Sequence, residues 1–588
     1  MIREYLRFLL RAACLTALAF STHAADITVN PGESIQSALD TAQPGDSVTV
    51  RGGVYYEQIS FPRSGNADSG WITLSAYPGE NPKLDGQGRA GEITILIDGK
   101  SFLRIMGLEI QNSTGLSDGS GIRLLGACQN IEILSNVIHD LRGANAMAIT
   151  VYGTASTPAT NIIIRGNQVY NCDPAPSEAI VLNGNIAGFE VALNTVHDVN
   201  NIGIDLIGGE ADLSPYGVCR NGVCRQNRVY RARASYEDGY AAGIYVDGGQ
   251  NIVVERNCIY ECDLGLEVGA ENSGVVVTGV VVRSNLIFNN DKAGLVFGGY
   301  DESLGRISHC LFNNNVCYQN DTRQTGNGEL WIQWASNNVV ENNIFYCGAQ
   351  NLLLNSQGGN QANGLDYNLW FSEDGAAAVA FSWNGAEYAG FESYRTATAQ
   401  DAHSVFADPA FRAPAATNFS VTAASAAINA GNPAYIAEAN ETDYEGNQRV
   451  MDGRIDIGAY EYNATNNPAP AVLVNGVTGT VVLSRADTLR LEVALTAGDL
   501  AGQQADWWVV AQAPAGWYYY DYISGAGWRE GIGVTYRGAL VDLPNYEILN
   551  IAGLLEGTYI VYFGVDTTPD GQVSYSSLFY SSATILIQ

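Results

Sequence analysis

Lysine is almost absent from this chain: Lys83, Lys100 and Lys292 are the only three in 588 residues. Positive charge is scarce altogether, with 30 Lys and Arg against 61 Asp and Glu and a formal net charge of −31. A surface so short of basic groups has no face for phosphate, which excludes nucleic acid as a partner. It also weighs against a polyanionic glycan unless a cation bridges the two. Histidine is rare as well, at five residues, and no Cys/His spacing matches a zinc site. After the first 24 residues no apolar run is long enough to cross a membrane. Those 24 residues carry Arg3, Arg7 and Arg11, an apolar stretch from Ala12 to Phe20, and small residues up to Ala24, which is the pattern of a secretory leader. A secreted or periplasmic monomer is therefore expected, and removing the leader's three Arg and one Glu takes the charge to −33. Nine cysteines remain in a compartment that permits disulfides. Cys219 and Cys224, flanking Arg-Asn-Gly-Val, are expected to bridge, and Cys317 to be a buried thiol.

What the chain does have is a repeat. Asn136, Asn167, Asn194, Asn227, Asn257, Asn285, Asn315 and Asn343 follow one another at intervals of 27 to 33 residues. Two positions after each stands a residue of inward type (Ile138, Val169, Val196 and so on), and three after each stands a ring, from His139 and Tyr170 to Tyr346. Such a period marks a solenoid, whose repeats bury their apolar faces only against each other. Built of short β runs, it predicts an all-β fold, a right-handed parallel β-helix with asparagine and aromatic ladders. Residues 25–462 are assigned to this solenoid, with an N-terminal cap made of a helix over 34–42 and a strand over 47–50. Regular coils run from 121 to 370, and a closing coil is expected between 408 and 461. Residues 463–470 read as a linker, and 471–588 as a small antiparallel β-sandwich. Its Trp507, Trp508, Trp517 and Tyr518 to Tyr520 are assigned to core packing, with carbohydrate binding as the alternative.

A second repeated phrase aligns the coils. Gly203-Ile204-Asp205-Leu206, Gly243-Ile244-Tyr245-Val246 and Gly265-Leu266-Glu267-Val268 belong to a series whose second and fourth members are apolar throughout, so the third faces out. The outward column reads Arg123, Thr150, Val181, Asp205, Tyr245, Glu267, Val296, Trp331 and Leu353. With coils about 4.8 Å apart, Asp205 and Glu267 stand roughly 10 Å from each other, and Asp247 is diagonal to both at roughly 8 Å. Glu210, Glu271 and Asp301 follow on adjoining turns.

Carboxyls at that spacing suit glycoside hydrolysis, one as acid and one as base or nucleophile, because crowding keeps one protonated. The same residues, Asp205, Asp247, Glu267 and Glu271, are also the oxygen ligands of an alternative Ca²⁺ site. As a third reading they are simply polar surface. The longest coil lies here: 40 residues separate Asp205 from Tyr245, including Tyr216, Tyr236 and Tyr240. Tyr245, Trp331, Gln333 and Trp334 are the candidate sugar-binding residues. His139 and His197, each followed by Asp, occupy the ring column and read as ladder members. Lys292 alone among the lysines falls in the central coils, as a partner for Asp263 or as a catalytic base.

The phrases Ser34-Ile35-Gln36-Ser37-Ala38-Leu39, Pro44-Gly45-Asp46, Gly53-Val54-Tyr55-Tyr56-Glu57 and Ile455-Asp456-Ile457-Gly458-Ala459-Tyr460-Glu461 resemble the start and end of the pectin-lyase-like superfamily. That resemblance implies a polysaccharide or oligosaccharide substrate, since its members include polysaccharide lyases, glycoside hydrolases and uronate epimerases. Calcium-dependent pectate lyases of the fold use an Asp cluster with a Lys or Arg base, which Asp205, Asp247, Glu267 and Lys292 are similar to. Xylosidase-like members use an Asp and a Glu on successive coils, as Asp247 and Glu267 stand here. On the hydrolase reading Glu267 is the acid, Asp247 the base or nucleophile, Asp205 tunes both, and no cofactor is required. A non-catalytic glycan-binding or adhesion solenoid is the reading from another class.

Overall fold

A computed structural model describes residues 24–88, 91–299, 301, 303–451, 453–462, 467–574 and 577–587. The leader expected over 1–24 lies, but for Ala24, outside the described residues, as does half of the expected linker. The chain divides into two compact units, 1–461 and 462–588.

The first unit is a parallel β-helix with three sheets of thirteen strands each. Its repeated phrase explains why. The residue before each ladder asparagine turns the chain in the left-handed region: Ser135 at φ 53°, Leu193 at 57°, Arg256 at 55° and Asn342 at 59° among them. That conformation is unfavourable for most side chains, so each turn needs a partner that holds it. The asparagines provide it. Asn194 donates from both its backbone N and Nδ2 to Asn227 Oδ1, each at 3.0 Å, and Asn227 does the same to Asn257 at 2.9 and 3.0 Å. The ladder continues past Asn343 to Asn368. Inward residues such as Ile204, Leu206, Ile244, Val246, Leu266 and Val268 are fully buried in one continuous core. On the ladder sheet His139, Tyr170, His197, Tyr230, Tyr260 and Phe288 stack with centroids 4.7 to 5.3 Å apart and planes within 10°. His139 and His197 are thus ladder rings, each bonded through Nδ1 to the following Asp.

At the N-terminus the helix Ile35–Thr41 covers the first coil, with Ser34 capping it and Glu57 accepting Ile35 N at 2.9 Å. Among the described residues no helix is long and apolar enough to cross a membrane.

Three expectations fail. Cys219 and Cys224 are free thiols, both buried. The intervening residues are not a loop but part of the strand Cys219–Arg225, which turns at Asn221 (φ 55°) so that both thiols are buried in the core. The last aligned coil is also out of register by two: Leu330 pairs with Leu354 and Trp331 with Asn355, not Leu353. Finally, residues 408–461 do not close the solenoid. The hairpin Ala380–Trp383 with Ala386–Ala389 and the helix Phe391–Thr398 do that. The chain then returns along the outside of the coils. Phe419 inserts between Phe288 and Tyr318, at 5.2 and 5.1 Å, and Arg283 pairs with Glu438 and Glu441.

The second unit has a three-stranded sheet (Ala469–Val474, Thr488–Thr496, Leu543–Ala552) and a seven-stranded one that includes Gln504–Ala513 and Gly557–Asp566. All pairings are antiparallel except Thr480–Leu483 with Leu578–Ile587. Trp507 and Trp508 are buried in it, whereas Trp517 is exposed.

Candidate active site

Register places the outward carboxylates on the sheet opposite neither ladder. Asp205 pairs with Tyr245, Tyr245 with Glu267, Glu267 with Val296 and Val296 with Trp331, so this part of the predicted column holds. Asp247 stands two residues beyond Tyr245, opposite Gly269. Regular pairing between these coils stops after Asp205: Ile207 bridges Gly248, and Gly208 N donates to Asp247 O at 2.7 Å. The irregularity turns Asp247 toward the next coil, where its Oδ1 accepts Glu271 N at 3.0 Å.

Asp205 is 2 % exposed and Asp247 5 %; Glu267 is half-buried. Asp205 Oδ1 has no hydrogen-bond partner, and neither has the buried Asn183 Oδ1 on the preceding coil. Burial, then the charges of Glu271 and Glu210, push the Asp247 carboxyl up to about 7. Burial followed by Glu271 and Asp247 holds Glu267 well above the carboxylate range, and burial followed by Glu178, Asp247 and Glu271 does so for Asp205. Without a basic partner to repay desolvation, such groups keep their protons.

Glu178 belongs to this cluster and escaped the sequence reading. Its carboxyl is pushed up to about 8 by burial and by Glu210 and Asp247. Glu178 lies just before the strand Ile180–Gly184, where alternation no longer applies, and Ala179 N bonds Ile202 O of the next coil. Glu210 is fixed by Asn183 Nδ2 at 2.7 Å. The loops 208–218 and 233–241 leave the two ends of this sheet, and an open cleft of about 740 Å³ lies between Glu210 to Leu213 and Asn272-Ser273. Tyr236 stands near Glu271 and Glu178, whose charges add to burial in raising its phenol.

The sugar-binding set needs correction. Tyr245 is 4 % exposed, packed with Ala242, Leu264, Ala293 and Val296, and its ring fills the space over Gly269. Both ring faces are consumed by packing, so it is a positioning residue whose hydroxyl donates to Glu271 at 3.3 Å. Trp331 flanks that cluster, half-buried, 6.1 Å from Tyr240, with its Nε1 unpartnered. Trp334 packs over Gly359 of the next coil, and Gln333 sits at the turn where Gly298 approaches its backbone.

Lys292 does not pair with Asp263. Its ammonium donates to Gly239 O and lies 4.1 Å over the Tyr240 ring, while Asp263 Oδ2 accepts Ala234 N and Ala241 N. Both residues thus hold the ends and tip of loop 233–241. Among the described residues no three of His, Cys, Asp and Glu converge on a point where a metal ion would sit. Asp205, Asp247 and Glu267 lie on successive coils of one sheet.

Comparison with known proteins matches residues 16–204 to the family described as Pel9A-like, right handed beta helix region, and 214–345 to right handed beta helix region. The uncharacterized protein YwoF of Bacillus subtilis (strain 168) is 36 % identical over 407 residues, covering 66 % of this chain and 86 % of YwoF. Among solved structures, XylC in complex with xylose is 12 % identical with a TM-score of 0.39, over 66 % of this chain and 87 % of its own. An alginate lyase from Paenibacillus sp. str. FPU-7 is 14 % identical with a TM-score of 0.35, over 59 % and 97 %. A polygalacturonase from Erwinia carotovora ssp. carotovora is 11 % identical with a TM-score of 0.31, over 60 % and 91 %.

Proposed function

We propose that this chain, which belongs to the pectin-lyase-like family of right-handed parallel β-helix proteins, is an exported glycan-active enzyme that hydrolyses glycosidic bonds at Asp247 and Glu267. One observation carries the reading: Asp247, buried, and Glu267, half-buried, stand on adjacent coils of one sheet, and burial with the neighbouring carboxylates raises both, Asp247 to about 7. Their Cα atoms stand roughly 8 Å apart on the sheet lattice. Glu267, protonated, donates to the glycosidic oxygen as the C–O bond breaks. Asp247, ionised above about 7, either takes the proton of the water that adds to the anomeric carbon or adds to that carbon itself. Glu271 charges both groups and is itself steadied by Tyr245, and Asp205 adds a third proton-holding carboxyl beneath them. Trp331 and Tyr240 offer the aromatic contact for a sugar ring.

The test is product release from neutral and uronic-acid polysaccharides, with chelator present. New reducing ends without near-ultraviolet absorbance are expected, lost on Glu267→Gln and on Asp247→Asn with the circular dichroism unchanged. Activity rises with pH as Asp247 ionises near 7. Unsaturated, absorbing products abolished by Lys292→Met would replace hydrolysis with β-elimination. Turnover unaffected by both carboxyl variants would remove the site from this sheet.

A further inference from the structure

The second unit contains a cavity that its core packing does not account for. It measures about 410 Å³ and opens between the two sheets. Val509, Trp507 and Phe563 of the larger sheet form its floor, and Tyr522, Tyr536 and Tyr546 stand at its rim. The rim rings are nearly perpendicular to one another: Tyr522 meets Tyr536 at 89° and Tyr546 at 80°, with centroids 6.0 and 6.4 Å apart. All three are more than a third exposed, so large apolar rings are held at the mouth rather than folded inward. Core residues of a sandwich this size close over each other; aromatic groups left upright around a void are the pattern of a ligand mouth.

The polar groups of the lining identify the occupant. Thr535 Oγ1 already accepts Val509 N at 2.8 Å, and Tyr520 bonds Tyr546. Trp507 is different: it is 6 % exposed, and its Nε1 has no acceptor. A buried indole N–H without a partner is uncommon, because the group loses its bond to water and gains nothing. A second apolar cavity in the same unit shows the contrast, since Trp528 lines it and donates to Ile548 O at 3.3 Å. Trp508 Nε1 is also unpartnered but lines neither cavity.

We propose that this cavity is a binding site for an uncharged aryl group carrying one acceptor oxygen, such as an aromatic ester, with Trp507 Nε1 donating to that oxygen and the tyrosines enclosing the ring. A sugar ring fits less well. It presents hydroxyls around its whole edge, and the buried lining offers only two donors, Trp507 Nε1 and the Thr535 hydroxyl, against an apolar floor. The site is independent of the carboxylates on the β-helix.

The experiment uses the full chain and saturation-transfer NMR with three probes: methyl benzoate, toluene and methyl β-glucopyranoside. Methyl benzoate binds, toluene binds about three- to tenfold more weakly for want of the acceptor, and the glucoside does not bind. Trp507→Phe keeps the ring and removes the donor, so it brings methyl benzoate down to toluene and leaves toluene unchanged. A merely structural loss would weaken both. Ala539→Phe, at the half-buried edge of the same lining, fills the void and abolishes both while the thermal transition is kept. The proposal is overturned by failure of methyl benzoate to bind, by preference for the glucoside, or by binding that survives Ala539→Phe.

Discussion

Replacing Asp247 by Asn removes one ionisation from the centre of the carboxylate cluster and leaves an oxygen that still accepts Glu271 N. In the unfolded chain this carboxyl titrates at the ordinary 3.8; in the fold it titrates near 7. Between those values the folded state holds a proton that the unfolded state has released. Wild-type stability is therefore intact below about 4 and declines as pH rises toward 7, by about 1.4 kcal/mol per pH unit. Three units set a ceiling of about 4 kcal/mol for this group. The Asn variant does not pay this penalty, so its stability relative to wild type climbs by up to about 4 kcal/mol between pH 4 and pH 7. Loss of the Asp247 charge also relieves Glu178, Asp205 and Glu267, which moves the result in the same direction. Urea unfolding of both proteins, followed by circular dichroism with chelator present, reads the difference at pH 4, 5.5, 7 and 8. A difference that stays flat across that range would mean the carboxyl ionises normally in the fold, and the acid–base assignment would go with it.

Other outcomes follow from the same architecture. Asn227→Ala strands the two Asn194 donors inside the core and lowers stability by about 3 kcal/mol, measurable in the same urea assay. Thiol titration in urea without reductant, on protein lacking residues 1–24, counts nine free cysteines; in the folded protein Cys258, the only one of them not fully buried, reacts first. Lys292→Met frees the tip of loop 233–241, so limited proteolysis cuts there sooner while the thermal transition stays in place.

The fold was legible because its cause is local and repeated: one asparagine, one inward apolar residue and one ring per coil set the turn, the core and the stack. Register along the central coils came from the same phrase, and it brought Asp205, Asp247 and Glu267 onto one face. Where the backbone departs from the repeat, the residue pattern no longer indicates register. The last coil is shifted by two against the Trp331 strand, and the bridge from Ile207 to Gly248 left no sign in the residue pattern. Outward polarity also hides depth, so Tyr245 looked like a platform although loops and neighbours cover it. A second ladder, from Asn290 through Asn320 to the Glu329 carboxylate, was missed because it has only three members. Long-range pairs such as Arg283 with Glu441 are 158 residues apart and follow from no spacing rule.

That return segment alters how the molecule answers to force. A bare solenoid is a stack of nearest-neighbour contacts, so pulling one end peels it coil by coil. Here Tyr444 bonds Cys258, Glu438 and Glu441 grip Arg283, and Asn432 reaches Asn342, which rivets the later coils together from outside. Tension on the N-terminus unwinds the coils that carry His139, Tyr170 and His197 and arrests at Cys258. Asp205 rides on the yielding side of that arrest and Glu267 on the clamped side, so the carboxylate cluster spans the boundary between the part that peels and the part that holds.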